Sequence, residues 1–391
     1  MGYNTWNDVG CSRLSEEALR KAADALESTG LRDLGYRFVN IDDCWSAINR
    51  DGKTGRLVPD PVRFPSGLQA LGDELHKRGF SFGLYTDRGS RTCAGHPGSL
   101  GSEDLDAQTF AEWGVDYVKE DNCWSSTGAN DKDVLFKQFG LFGDALNRTG
   151  RPIFFSVCGG GGQVPAANLS YYATDSRGGG RLANSWRISS DCINWFTCQK
   201  AYRVAAELGS VAGPGGFNDP DMLLGSSPGS ARGLSQAQSR TQFSIWAILM
   251  APLLIGSPVG SLSSYDIETY SNAEVIAVNQ DPLGKQGFVL TEAHSHVVWG
   301  RELADGAWAL VFQNEGWFRT AEVACEDECW AKLPFAPNTT LQVRDLWAKG
   351  PAERNVAVAG QAYSVSVPRN GASIMLKISS AHRSPAPLAF V

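Results

Sequence analysis

Acids recur in this sequence at one kind of place. Asp42 with Asp43, Asp87, Asp121, Asp191 and Asp221 each stand at or just after the end of a short run that reads as a β-strand. The densest case is Trp113–Cys123. Tyr117 and Val118 supply β-propensity there, Gly114 breaks the preceding helix, and Lys119, Glu120, Asp121 and Asn122 crowd the strand's C-terminal end. Charges at that end contribute nothing to a core, and in parallel α/β folds it is where ligands bind. One such acid is usually an ordinary loop carboxylate; repetition makes the set a candidate site. A ring of carboxylates suits a polyhydroxylated ligand, because carboxylates accept hydrogen bonds from neighbouring hydroxyls. Cleaving a glycoside further requires one nucleophile and one proton donor.

Rival uses of these residues find little support. The repeating metal-like spacings are Cys325/Cys329 and His294/His296, far from the acids, and neither makes a four-ligand set, so no metal is expected. Gly159–Gly162 follows a strand but does not fit G-x-G-x-x-G, and no Walker sequence exists. The net charge of −7 without a basic run argues against nucleic acid. Twelve Trp is a heavy aromatic load, useful for stacking on sugar faces, although a large core uses Trp too. The uncharged run Thr241–Tyr265 is long enough to span a membrane. Pro252, Gly256 and Pro258 interrupt it, so it reads as a buried helix followed by a buried strand, with no membrane partner.

The elements that must position the acids alternate strand and helix. Strands are expected at Gly2–Trp6, Tyr36–Asp43, Ser81–Asp87, Tyr117–Asp121, Pro152–Cys158, Ser185–Ser189, Gly215–Leu223 and Pro252–Gly256. Between them run helical patterns such as Leu19, Ala22, Ala23 and Leu26, with Ser15 as N-cap and Gly30 as stop. Others follow Leu68, Leu71 and Leu75, then 104–113, 135–146 and the stretch carrying Phe243, Trp246 and Met250. Eight such units match a (β/α)8 TIM barrel in count and length. Beyond about Gly287 the helical pattern stops. Val297–Trp299, Ala307–Phe312, Tyr363–Val367 and Ala372–Ile378 read as strands, with Asp305-Gly306 a hairpin turn. The expected division is a catalytic barrel over 1–286, an antiparallel β-sandwich over 287–380 and a loose tail over 381–391.

Several stretches carry a family resemblance. They are Met1-Gly-Tyr-Asn-Thr-Trp6, Ile41-Asp-Asp-Cys-Trp45, Thr92-Cys-Ala-Gly-His-Pro-Gly98 and Tyr117-Val-Lys-Glu-Asp121. Ser185-Trp-Arg187, Gly215-Gly-Phe-Asn-Asp-Pro-Asp-Met222, Ala251-Pro-Leu-Leu-Ile255 and Glu274-Val-Ile-Ala-Val-Asn-Gln-Asp281 continue the series. Together, and in this order, they closely resemble glycoside hydrolase family 27, the α-galactosidase/α-N-acetylgalactosaminidase family. The resemblance covers the whole barrel and continues more weakly into the sandwich.

It implies a retaining exo-glycosidase, needing no cofactor, that removes terminal α-linked galactose from oligosaccharides or glycoconjugates. Asp121 falls at the family's nucleophile position and Asp191, four residues after Arg187, at its acid/base position. Their carboxyl groups are expected about 5–5.5 Å apart. Asp191 should then be the less acidic of the pair, helped by the negative charge on Asp121. By the same resemblance Asp42 and Asp43 take the galactose 4- and 6-hydroxyls, Lys119 the 3- and 4-hydroxyls and Arg187 the region of the 2-hydroxyl. Asp221 is another pocket acid, and Trp6, Tyr85 and Met222 form the apolar wall. Lys119 and Arg187 also neutralise the acids, while Asp87, followed by Arg88, and Asp219 read as structural. The disulfides Cys11–Cys44 and Cys93–Cys123 are implied too, with Cys192–Cys198 and Cys325–Cys329 as plausible local bridges. Nine cysteines is odd, which leaves Cys158 in the substrate-binding wall, an inert thiol with no histidine partner in view.

Departures from the family concern the substrate. Gly159-Gly160 stands where α-galactosidases carry Glu-Trp, beside the sugar's 2-substituent, so an N-acetyl group gains room unless another loop fills the gap. Glu120 replaces a usual aromatic and by alternation points away from the lumen. Arg88 and Arg91 add positive charge near the rim. Enzymatic alternatives are α-N-acetylgalactosaminidase and β-L-arabinopyranosidase; a galactose-binding lectin is the non-enzymatic one, disfavoured by the presence of both Asp121 and Asp191. The cysteines and the sequons at Asn147, Asn168 and Asn338 favour a secreted or vacuolar/lysosomal protein. The abrupt start reads as a chain whose leader has been removed. The sequence leaves room for a homo-oligomer.

Overall fold

The computed structural model describes residues 1–124, 132–159, 182–227, 233–350 and 355–380. Gly160–Gly162, the Asn168 sequon and the tail 381–391 lie outside these residues, as do the side chains of 132–135. The chain divides into two compact units, Met1–Leu234 with Pro252–Ile267, and Ser235–Ala251 with Glu268–Val391.

The first unit holds eight parallel strands: β1 (Gly2–Asn4), β2 (Phe38–Asn40), β3 (Ser81–Asp87), β4 (Tyr117–Asp121), β5 (Phe154–Val157), β6 (Ser185–Arg187), β7 (Phe217–Asp219) and β8 (Leu254–Ile255). They pair in the order β7-β6-β5-β4-β3-β2-β1-β8. The ends meet just beyond β7, where Leu223 forms a parallel bridge to Ile255. Leu223 N donates to Leu254 O at 2.8 Å and Gly256 N to Leu223 O at 2.9 Å, which closes a barrel of the TIM type.

Period-2 alternation then decides what faces the lumen. Phe38, Tyr117 and Phe154 form a ring cluster, with Tyr117 stacked on Phe154 at 5.3 Å and Phe38 5.9 Å from Tyr117. Two residues further along, the same alternation carries Lys119 and Ser156, and two further still Asp121 and Cys158. The apolar rings fill one end of the barrel and the charged groups line the other.

Helices form where caps and apolar stripes coincide. Ser15 Oγ accepts from Ala18 N at 3.2 Å, starting Glu16–Ser28, whose buried face is Leu19, Ala22, Ala23 and Leu26. Trp195–Glu207, which the sequence pattern did not suggest, starts from a capping box at Asn194 and Thr197. The expected first strand is too long. Asn4 Oδ1 accepts from Trp6 N at 2.8 Å, and this local bond turns the chain into the short helix Trp6–Val9.

The second unit is antiparallel. Six strands pair in the order β14-β13-β16-β11-β10-β9: β9 (Phe288–Ala293), β10 (His296–Glu302), β11 (Trp308–Asn314), β13 (Thr340–Asp345), β14 (Asn355–Val358) and β16 (Ala372–Ser380). A second sheet joins β12 (Ala321–Cys325) to β15 (Tyr363–Val367). Leu290, Trp308, Leu310, Phe312, Val323, Leu341 and Leu376 are buried between them. The Asp305-Gly306 turn sits at the β10–β11 hairpin, with Gly306 at φ 76° as such a turn requires. The helix Gln236–Ile248 belongs to this unit, where Thr241 Oγ1 and Ser373 Oγ share a hydrogen bond of 2.9 Å. Among the described residues no helix is long and apolar enough to cross a membrane.

Candidate active site

β3 and β4 lie in parallel register, with Tyr85 opposite Lys119 and Asp87 opposite Asp121. Asp121 Oδ1 accepts from Asn122 N at 2.8 Å, and its Oδ2 lies 3.7 Å from Lys119 Nζ. Lys119 Nζ also donates to Asp42 Oδ2 at 2.9 Å and sits 5.0 Å from the Tyr85 ring centroid. Burial alone would lower the Lys119 pKa, but the two carboxylates outweigh it and hold the ammonium charged. Lys119 therefore ties Asp42, just beyond β2, to Asp121 at the end of β4.

The β2 acids are fixed from several sides. Asp42 Oδ2 also accepts from Asn4 Nδ2 at 2.9 Å, and its backbone N donates to Thr5 Oγ1 at 2.9 Å. Asp43 accepts from Cys44 N at 2.6 Å and from Ala94 N at 2.8 Å. Burial pushes the Asp43 carboxyl up, and neighbouring Asp42 adds to the rise. Asn4, Thr5 and Ala94 escaped the sequence reading, although all three lie inside its recognised stretches.

Across the lumen, Arg187 Nη2 stands 3.0 Å from Asp191 Oδ1 and 3.0 Å from Asp221 Oδ2. Asp221 also accepts from Cys192 N at 2.8 Å. Its φ of 92°, a strained value for a side-chain-bearing residue, is held by Asp221 N donating to Asp219 Oδ1 at 2.8 Å. That is the structural role expected of Asp219. Burial, with Asp191 and Asp219 nearby, pushes the Asp221 carboxyl up to about 6 despite Arg187. The Asp191 side chain is 63 % exposed. Its partial burial acts upward, but Arg187 and Lys119 more than offset it and hold the carboxyl below the usual carboxylate range. This runs against the expectation of a weakly acidic Asp191: the guanidinium that orients the carboxyl also stabilises its anion.

The wall residues fall as follows. Tyr85 is buried, with its hydroxyl 3.2 Å from Cys93 Sγ and its carbonyl accepting from Trp45 Nε1 at 2.8 Å. Met222 is buried beside Gly256, and Trp6 is half-buried at the start of the short helix that follows β1. Glu120 is buried and neither carboxyl oxygen has a hydrogen-bond partner. Burial raises its pKa, with Asp87 and then Glu103 and Asp106 of helix Glu103–Glu112 adding to the rise against Arg88. Arg88 Nε donates to Asn122 Oδ1 at 2.6 Å.

All four expected disulfides are present, Cys11–Cys44, Cys93–Cys123, Cys192–Cys198 and Cys325–Cys329, and Cys158 is a buried free thiol. Burial, aided by Asp121, pushes the Cys158 thiol up and keeps it protonated. Asp87, Cys93, Asp121 and Cys123 bring one ligand atom each within 4.8 Å of one another. The two sulfurs are already joined, which leaves two carboxylates and no metal-binding set.

A parallel barrel whose strand ends carry cation-bridged carboxylates is a (β/α)8 scaffold with a site suited to a polyhydroxylated ligand. The family described as "Alpha galactosidase A" matches residues 5–281, and its "C-terminal beta sandwich domain" matches residues 293–377. The α-galactosidase of Cyamopsis tetragonoloba is 41% identical over 350 residues, covering 89% of this chain and 79% of its own. The solved α-galactosidase I of Mortierella vinacea superposes with a TM-score of 0.86 at 32% identity, covering 98% of both chains. A solved α-galactosidase of Saccharomyces cerevisiae, for which a structure with raffinose is also known, gives 0.85 at 28% identity and 97% coverage of both. The chain belongs to this family, glycoside hydrolase family 27, and is a glycoside hydrolase of the α-galactosidase kind.

Proposed function

We propose that this enzyme removes terminal α-linked galactose from oligosaccharides and glycoconjugates by double displacement. The observation that carries it is the Lys119 bridge, which sets Asp121 beside Asp42. In the first step Asp121 attacks the anomeric carbon while Asp191 protonates the departing glycosidic oxygen. In the second, Asp191 takes a proton from water, which displaces the sugar from Asp121. Asp42, Asp43 and Lys119 accept from and donate to the sugar hydroxyls, Arg187 lies near the 2-hydroxyl, and Trp6, Tyr85 and Met222 exclude water. Asp191 in this role must hold a proton while paired with Arg187, so turnover belongs to the acidic side of neutrality. Four disulfides and the exposed sequon residues Asn147 and Asn338 support work in an oxidising, secretory or vacuolar compartment with N-linked glycans.

The test is a parallel assay on the aryl α-galactoside, α-N-acetylgalactosaminide and β-L-arabinopyranoside. Fast cleavage of the α-galactoside alone is expected, another loop then occupying the space beside Gly159. Comparable cleavage of the N-acetyl substrate would change the substrate assignment, and no cleavage of any would favour a lectin.

A further inference from the structure

We propose that Asp87 is a positioning residue for Asp121: it fixes the turn that carries the nucleophile and changes its own charge as Asp121 loses and regains a negative charge. This rests on Asp121 being the nucleophile. The Asp87 side chain is fully buried. Its Oδ1 accepts from Gly89 N at 2.6 Å and its Oδ2 from Cys123 N at 2.7 Å, so one carboxyl joins the turn after β3 to the turn after β4. Asp87 stands opposite Asp121 in the register, and a carboxylate oxygen of each lies within 4.8 Å of the other.

A buried and a half-buried carboxylate that close resist carrying charge together. Burial, and Asp121 after it, push the Asp87 carboxyl up to about 7, although both backbone N–H groups and Arg88 favour its anion. The ionisable groups acting around it are Tyr85 and Arg88 from β3 and its turn, and Glu120 and Asp121 from β4. Glycosylation changes this balance. An Asp121 oxygen bonds to the anomeric carbon, the bond to the leaving atom breaks with its electron pair on that atom, and Asp121 becomes a neutral ester. The repulsion on Asp87 disappears, and Asp87 releases its proton to solvent. By the same coupling, an already ionised Asp87 favours glycosylation.

The reading is testable with α-galactosyl fluoride, whose leaving group needs no proton from Asp191. In the wild type kcat/KM should rise about tenfold as the pH passes through about 7, the size expected for partial loss of one charge at this separation. In Asp87→Asn, which keeps one acceptor oxygen and does not titrate, the profile should be flat and about tenfold below the wild-type plateau. A flat wild-type profile, or an unchanged rise in the variant, overturns the proposal. Should the variant not fold, the wild type decides alone. Trapping it at about pH 7 with 5-fluoro-α-galactosyl fluoride in weak buffer should release about half a proton per site, since fluoride departs unprotonated. Asp221, pushed up to about 6, is already mostly ionised there. Peptide mapping separates the two layers: a label on another residue removes Asp121 as nucleophile and this inference with it. A label on Asp121 with no proton released overturns this inference alone.

Discussion

Arg187 and Asp191 form an ion pair at 3.0 Å between a guanidinium that is 5 % exposed and a carboxylate that is 63 % exposed. One partner is fixed in the barrel wall, and the other is open to solvent. The pair makes the proposed acid well oriented and too strong.

Arg187→Gln should therefore raise the Asp191 pKa. The sign follows from the charge: without the guanidinium, burial acts on the carboxyl with less opposition. For a substrate whose leaving group needs a proton, the alkaline limb of kcat/KM should move up by about one pH unit while its maximum falls about 10- to 100-fold. A limb that stays in place would show that Arg187 does not set the ionisation of Asp191.

Asp121→Asn should lower kcat by at least about 10⁴-fold, because the amide cannot form the glycosyl ester, while circular dichroism and melting temperature stay close to wild type. Asp121 makes one backbone hydrogen bond through Oδ1, which an asparagine oxygen can keep. Residual activity above that level, once contaminating wild type is excluded, would sink the nucleophile assignment.

Asp191→Ala separates the acid role from binding. The loss in kcat/KM should be about 10³-fold for an unactivated galactoside and small for a dinitrophenyl galactoside, whose leaving group departs unaided. Azide should speed turnover of the activated substrate and yield α-galactosyl azide, because deglycosylation no longer has a base. Equal losses on both substrates, with no azide product, would assign Asp191 to binding.

How much of this could be read beforehand depends on what kind of interaction carries each feature. Ser81–Asp87 and Tyr117–Asp121 were expected at the bounds now seen, because each is a β-propensity run stopped by acids. Strand β13 was missed although its sequence alternates as a half-buried strand does, with Leu341 and Val343 buried and Thr340 and Gln342 exposed, because the sequence reading favoured continuous apolar runs. Asp121, Asp191 and Arg187 were found through their motifs. Asp87 was read as structural from its neighbour Arg88, whereas its hydrogen-bond acceptors face the backbone N–H groups of Gly89 and Cys123, which no side-chain pattern marks. The acidity of Asp191 was misjudged for a related reason. The resemblance names its role, while its ionisation depends on where Arg187 points.

Stability should fall as the solution becomes neutral. Asp87 is pushed up to about 7 and Asp221 to about 6, both above the ordinary value of 3.8. A carboxyl whose pKa is higher folded than unfolded contributes stability that is complete below the unfolded value. That contribution is lost as the pH rises through the folded value. The window is thus roughly pH 4 to 7, and Glu120, raised well above its ordinary value, extends it upward. Asp191 has the opposite sign, but its exposure to solvent makes its share small. Melting temperatures measured across about pH 4 to 8 should be highest on the acidic side and drop toward neutrality, and Asp87→Asn should flatten part of that drop. A melting temperature that instead stays level between about pH 5 and 7.5, where the unfolded carboxyls are already ionised, would show that these buried carboxyls fold as anions.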